Sequence, residues 1–322
     1  MRHRQQGVAL ITVLLVVAVV VVIGAEMSSR LGLGIRRTDN QLSQHQAFWY
    51  AISGEAYAKK VLIELLKDND GQLGPELGWQ EEQAFPVEGG EIRGRLRDAK
   101  ACFNLNALQV SNDDDRRIRA GQFQALLEHL EVDNYQAEQV AQGLADWLDE
   151  DDRLQSSLGA EDSEYQSREH PYLAANGPMA DASELRAVNG MSGAIYQKIR
   201  PHVCALAGND WALNINGLTE EQAPLLAAWL APMSLADAES LLSSRPRDGY
   251  ADVADFRAEP ALAALQGQDV NAAIEAVVVK SDHFLVQLQG HYQDRVVYLE
   301  SELLQDENNK MTVQSRRLGG AL

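Results

Sequence analysis

The stretch that decides the fold is Met1-Arg-His-Arg-Gln-Gln-Gly7, followed by Val8-Ala-Leu-Ile-Thr-Val-Leu-Leu-Val-Val-Ala-Val-Val-Val-Val-Ile-Gly-Ala25. A short polar leader carrying Arg2 and Arg4 ends in Gly7, and an apolar run opens at once. Between Val8 and Ala25 only Thr12 and Gly24 interrupt the hydrophobicity, and no residue is charged. A run of that length reaches the lower limit for a helix that crosses a bilayer core. A buried helix of a soluble domain would keep a polar face, and this run has none. Secretory cleavage needs small residues after the run, whereas Glu26-Met-Ser-Ser-Arg30 follows it. The conspicuous break is at Gly7, ahead of the run.

A basic leader closed by Gly and followed by an apolar helix resembles the class III signal of type IV pilins and type II secretion pseudopilins. The resemblance implies cleavage by a prepilin peptidase between Gly7 and Val8 and N-methylation of Val8. The helix would stay in the chain, first as an inner-membrane anchor and then as filament core. The family's Glu at the fifth mature position is replaced here by Thr12. The K pseudopilins of type II secretion characteristically lack that Glu and are unusually large.

With 322 residues, 45% of them hydrophobic, the chain has room for one large domain or two ordinary ones. A net charge of -19 opposes binding to nucleic acid and anionic lipid and suits cations or simple solubility. Arg2 and Arg4 precede the span and Arg30, Arg36 and Arg37 follow it, so orientation rests on the leader and not on charge bias.

Past Ala25 the helix is expected to continue, although Gly32 and Gly34 weaken it by roughly 1 kcal/mol each. Ala47, Ala51, Gly54, Ala58, Val61 and Leu65 then form one helical stripe, and Asp68-Asn-Asp-Gly71 stops it. Gly71 to Gly90 reads as a loop-rich connection. Glu91 to Arg97 alternates strictly and predicts a strand with Ile92, Gly94 and Leu96 on one face. From Ser111 the period becomes helical, with capping-box outlines at Asp181–Glu184 and Thr219–Gln222. After Asn271 it returns to two: Ala276–Lys280, His283–Gln289 and Arg295–Leu304 are expected strands, with a short fourth at Met311–Ser315. Strand-forming sequence thus brackets a helical block.

The predicted fold is α+β: a pilin-like N-terminal transmembrane and stem helix packed on an antiparallel sheet, with a large all-α domain inserted between strands. The expected divisions are a leader (1–7), a transmembrane helix (8–27) and a stem helix (28–70). Sheet (71–105 and 273–318) then encloses an inserted helical domain (106–272). Such an insertion is tolerable if it folds by itself. Together with Ala145-Asp-Trp-Leu-Asp-Glu-Asp151, Gly159-Ala-Glu-Asp162, Tyr165, Pro171-Tyr172, Asn176 and Glu184-Leu185, this organisation is similar to the type II secretion K pseudopilins, the GspK/XcpX family.

That resemblance implies a single-pass inner-membrane protein with a periplasmic C-terminal domain, acting as a minor pseudopilin that starts or caps the pseudopilus. It implies the I and J minor pseudopilins as tip partners, with H and the major pseudopilin G below. Secreted substrates and the outer-membrane secretin are further candidates. Acidic residues crowd Asp146 to Asp152 and Glu161 to Glu164. Read alone, the crowding fits a solvated loop or a calcium site, since calcium takes six to eight oxygen ligands. The resemblance implies calcium, with Asp149, Asp151, Glu161, Asp162 and Asn176 the candidate ligands. Cys102 and Cys204 are either buried thiols or a pair, and an exported location favours the bridge.

Leu213-Asn-Ile-Asn-Gly217 through Phe256 also resembles helix-hairpin-helix modules, within what would be SAM-like units. The rival reading is therefore a membrane-anchored DNA receptor of competence type. Between Asn214 and Pro260, however, three arginines face eight acidic residues, and the hairpin Ala231-Pro-Met233 lacks paired glycines. No nucleic-acid partner is expected. Nor is an enzyme, for the chain has no H-E-x-x-H, no G-x-S-x-G and no phosphate-cradling loop.

Overall fold

The computed structural model describes residues 8–319. The leader, with Gly7 of the expected cleavage position, lies outside them. One helix, α1 (Val8–Asp68), runs unbroken through the apolar run and the amphipathic stretch. Gly32 and Gly34 sit in its open part, where an added Cβ would meet nothing. The helix ends where Asp70 and Gly71 take left-handed conformations (φ 52° and 79°) and the Gly71 amide donates back to Leu66 O.

The strands are β1 (Gln83–Val87), β2 (Gly90–Asp98), β3 (Phe103–Asn104), β4 (Val203–Cys204), β5 (Leu213–Asn214), β6 (Val277–Val278), β7 (His283–Tyr292), β8 (Arg295–Gln305) and β9 (Met311–Leu318). Five of them form an antiparallel sheet in the order β1-β2-β7-β8-β9. Its apolar face, with Leu96, Val286, Leu288, Val297 and Leu299, packs on Ala47, Ala51, Leu62 and Leu66 of α1. Small residues let helix and sheet meet closely. A Cβ on Gly290 would lie 2.0 Å from Ala47 O, and one on Gly54 would strike Ile92 and Leu288.

Four elements differ from the sequence reading, two of them the short strands β4 and β5 inside the block read as wholly helical. The supposed connection before Gly90 contains β1, whose Pro86 obscures the strand pattern; as an edge strand it needs no amide at that residue. The expected strand Ala276–Lys280 shrinks to β6, which pairs in parallel with β5 outside the main sheet. The burial stripe of α1 also drifts, from Ala47 and Ala51 to Leu62 and Leu66, and takes in Glu55.

Between β2 and β7 lies the helical region: α2 (Asp113–His129), α3 (Asn134–Leu148), α4 (Asp162–Gln166), α5 (Gly193–Ile199), α6 (Ala223–Trp229), α7 (Leu235–Ser244), α8 (Val253–Arg257), α9 (Pro260–Ala263) and α10 (Gln268–Glu275). Both capping boxes form, each opening a 3-10 turn. One apolar core runs through this region and another lies between α1 and the sheet.

The helical region is internally repeated. Phe103-Asn-Leu-Asn106 and Leu213-Asn-Ile-Asn216 each begin with a two-residue strand, paired in parallel with β4 and β6 respectively. The Asn106 amide donates to Met179 O and Leu206 O and accepts from Met179 N. Asn216 does the same with Tyr250 O, Val279 O and Tyr250 N. Each asparagine thus pins a loop to its unit, satisfying backbone groups that would otherwise be buried without partners.

Candidate functional site

The structure gathers three buried carboxylates at one end of α3. Asp146 lies in its last turn, Asp149 is its C-cap, and Glu161 immediately precedes α4. One ligand atom from each lies within 4.8 Å of the others. Asp146 Oδ1 accepts from Gln155 N (3.1 Å) and Asp149 Oδ2 from Gln155 Nε2 (2.8 Å). Asp146 Oδ2, Asp149 Oδ1 and both Glu161 oxygens are buried without a hydrogen bond, as is Asn176 Oδ1. The negative end of the α3 dipole adds to the unfavourable field.

Burial and mutual repulsion raise all three groups. Glu161 is pushed up to about 7 by burial and then by Asp146, Asp149, Asp152 and Asp151. Burial raises Asp146 to about 6, with Asp149 reinforcing the shift against the amides of Gln155 and Ala160. Asp149 is raised by burial and then by the charge of Asp151. Gly159 packs so closely that a Cβ there would fall 1.9 Å from Asp146 Oδ2. An all-oxygen set with its free lone pairs turned together suits a hard cation such as calcium.

The sequence-derived ligand set divides. Asp149 and Glu161 belong to the trio. Asn176 keeps its carbonyl oxygen free while Nδ2 donates to Asp152 Oδ1 (2.9 Å). Asp151 and Asp162 stand outside the trio: one oxygen of Asp151 accepts from Arg153 N and one of Asp162 from Ala174 N. Asp146 belongs to the acidic crowd of the sequence but not to the expected ligand set. The signal for it is its place one helical turn before Asp149.

Cys102 and Cys204 are joined by a disulfide beside the β3–β4 pair, closing a sequence separation of 102 residues. Thr12, at the missing-Glu position, donates its hydroxyl to Ala9 O (2.9 Å). The apolar part of α1 is long enough to cross a membrane, and none of it is buried against the protein. Farther along, buried Glu55 takes two hydrogen bonds from Arg316 (2.6 and 2.9 Å) and one from Ser301 (2.7 Å), fastening α1 to β8 and β9.

Residues 101–208 and 213–280 each match the family described as "Type II secretion system (T2SS), protein K". The type II secretion system protein K of Aeromonas hydrophila is 40% identical over 99% of this chain and 98% of its own length. That of Pseudomonas aeruginosa is 36% identical over 99% and 94%. Among solved structures, a chain of the GspK-GspI-GspJ complex from enterotoxigenic Escherichia coli superposes with a TM-score of 0.81 at 36% identity, covering 88% of this chain and all of that one. None of these likenesses supports the DNA-receptor alternative. The chain belongs to the type II secretion system protein K family, and is a minor pseudopilin.

Proposed function

We propose that this minor pseudopilin sits at the tip of the pseudopilus, where it starts or caps the filament that exports folded proteins across the outer membrane. The observation that carries this is the likeness, along nearly the whole chain, to a component of a solved GspK-GspI-GspJ complex. The I and J pseudopilins are accordingly its tip partners, with the H pseudopilin and the major pseudopilin below. The width of the helical region supports an end position, because a head of that size would interrupt a helical array elsewhere. The role is structural, without catalysis. The span of α1 anchors the chain once in the inner membrane, leaving the C-terminal domain in the periplasm.

In this reading a prepilin peptidase removes Met1 to Gly7 and methylates Val8. Asp146, Asp149, Glu161 and Asn176 would hold a calcium ion, whose chemistry is charge neutralisation of an otherwise repelling loop. Asp151 and Asp162 would complete the set with their free oxygens. The N-terminal peptide mass of membrane-extracted protein, with and without the host peptidase, tests the reading. A chain beginning at methylated Val8 only when the peptidase is present is expected. An uncleaved leader under both conditions would overturn it.

A further inference from the structure

The sheet face turned away from α1 carries an uncompensated positive charge, in a protein whose net charge is -19. Ile92 and Leu96 of β2 pack on the α1 side, so Arg93, Arg95 and Arg97 line the opposite face. The register sets Arg93 beside Gln289 and Arg95 beside Gln287, with Tyr298 and Glu300 of β8 next in line. Arg93, Arg95, Gln287 and Gln289 enclose a recess of about 180 Å³, and Glu82 stands at its rim.

The acids of this face are already engaged. Arg93 gives Nε and Nη2 to Glu91 Oε1 (2.7 and 2.6 Å). Glu300 accepts from Arg317 Nη1 (3.0 Å) and from Gln287 Nε2 (2.8 Å). Arg95 is left with a neutral acceptor, Gln287 Oε1, for its Nε (2.8 Å), and Arg97 donates to Pro201 O (3.3 Å). Among the described residues neither has a carboxylate within ion-pair distance. Burial, and then the charge of Arg95, lower the pKa of Arg97. Two like charges on one strand face repel each other until an anion joins them.

The donors define that anion. Arg95 is exposed, and with Nε held by Gln287 the terminal nitrogens of its planar fork stay open to a pair of carboxylate oxygens. Gln289, whose Oε1 meets His291 Nε2 at 3.0 Å, keeps its amide N–H groups for the recess. Three guanidiniums against Glu82 and Glu91 leave one positive charge, which suits a monoanion better than a phosphate. An exposed ion pair alone is worth little, so a free small acid gains too little to stay in so open a recess. A protein that carries the carboxylate adds contacts of its own. Tyr298 and Val296, the latter 36% exposed, lie opposite Gln289 and His291 and extend the surface with apolar area.

We propose that the recess at Arg95 binds an acidic side chain of a protein approaching the outer face of the sheet, its carboxylate held by the Arg95 fork and the Gln289 amide. The site is on the face opposite α1 and does not depend on the position of the chain in the filament.

The test uses the full-length chain in detergent and a fluorescein-labelled Gly-Glu-Glu-Gly peptide, read by anisotropy. Binding is expected at about 50 mM salt and should weaken severalfold at about 200 mM, where exposed ion pairs are screened. Arg95→Gln should weaken it about tenfold. Arg95→Lys, which keeps the charge but not the planar fork, should weaken it severalfold. Glu82→Gln removes the negative charge at the rim and should tighten binding about twofold. Arg95 and Glu82 are exposed, so none of the three variants should shift thermal unfolding. No binding of the peptide, equal binding of its Gly-Gln-Gln-Gly counterpart, or undiminished binding by Arg95→Gln would overturn the site. Tighter binding of a phosphoserine counterpart would overturn the choice of a carboxylate. Displacement of the peptide by an equal concentration of acetate would overturn the choice of a protein as its source.

Discussion

Buried carboxylates in this protein meet opposite fates, and their neighbours decide which. Burial alone would raise Glu55, yet the fork of Arg316, with Ser301 and Lys59, pulls it down to about 2. Glu302 is likewise opposed by burial and brought to about 2 by His283, Ala207 N and Ser315. Glu161, with no donor, goes up. A folded pKa below the unfolded value gives stability that is complete above the unfolded pKa and is lost as pH falls. The clamp of Glu55 should therefore contribute fully above about pH 4.5 and fade toward pH 2, and Glu55→Gln should flatten that limb of the Tm-against-pH curve. An unchanged limb in the variant would show that Glu55 does not clamp α1. At the acidic site the expected outcome is different. Calcium should raise Tm in proportion to the logarithm of its concentration above Kd. Asp146→Asn and Glu161→Gln should each remove most of that rise, as read by calorimetry after chelator treatment. A rise equal to wild type in both variants would place the ion elsewhere.

At the scale of elements, α1 and β7 meet backbone to backbone at Gly290, within a contact otherwise made by apolar side chains. A methyl on Gly290 must displace Ala47 O, which is part of a helix clamped at Glu55. Gly290→Ala should thus cost about 2 kcal/mol, in the range of overpacking. Gly121→Ala, in α2 where an added Cβ meets nothing, should be neutral or stabilise by up to about 1 kcal/mol. Chemical denaturation of the two variants side by side checks the contrast. These elements are legible in the sequence to the extent that each declares its own period. The apolar run, the alternation at Glu91–Arg97 and the long β7 and β8 segments all do so. What escapes depends on partners far along the chain. Pro86 hides an edge strand that only β2 makes regular. Glu55 is a charged residue in the sheet-facing sector of an apolar stripe, and its partner is 261 residues away. The repeated Asn-x-Asn at 104–106 and 214–216 is visible as a spacing of 110, but its meaning lies in loops that fold back from Met179 and Tyr250. Asp146 reads as a member of an acidic crowd until the α3 C-terminus turns it toward Glu161.

For the whole molecule, α1 joins the apolar N-terminal end to the sheet and the helical region. A single helix of 61 residues carries the apolar span and the sheet-facing stripe. Thr12, near its start, has its hydroxyl satisfied within its own helix by Ala9 O, so it asks nothing of a neighbour. The resemblance to type IV pilins implies that a carboxylate at that position would meet the N-terminal ammonium of the next protomer. A pseudopilin with none above it has no ammonium to receive, and an ionised carboxylate left alone in hydrocarbon or in an apolar filament core is costly. Thr12→Val removes only a locally satisfied hydroxyl and should leave secretion close to wild type. Thr12→Glu should reduce secretion severalfold, and the effect should lessen in Thr12→Gln, which keeps the size without the charge. Export of a reporter substrate from cells complemented with each variant measures this. Equal export by the Glu and Val variants would mean that a carboxylate finds a partner there after all, and would count against the end position that the wide helical region otherwise favours.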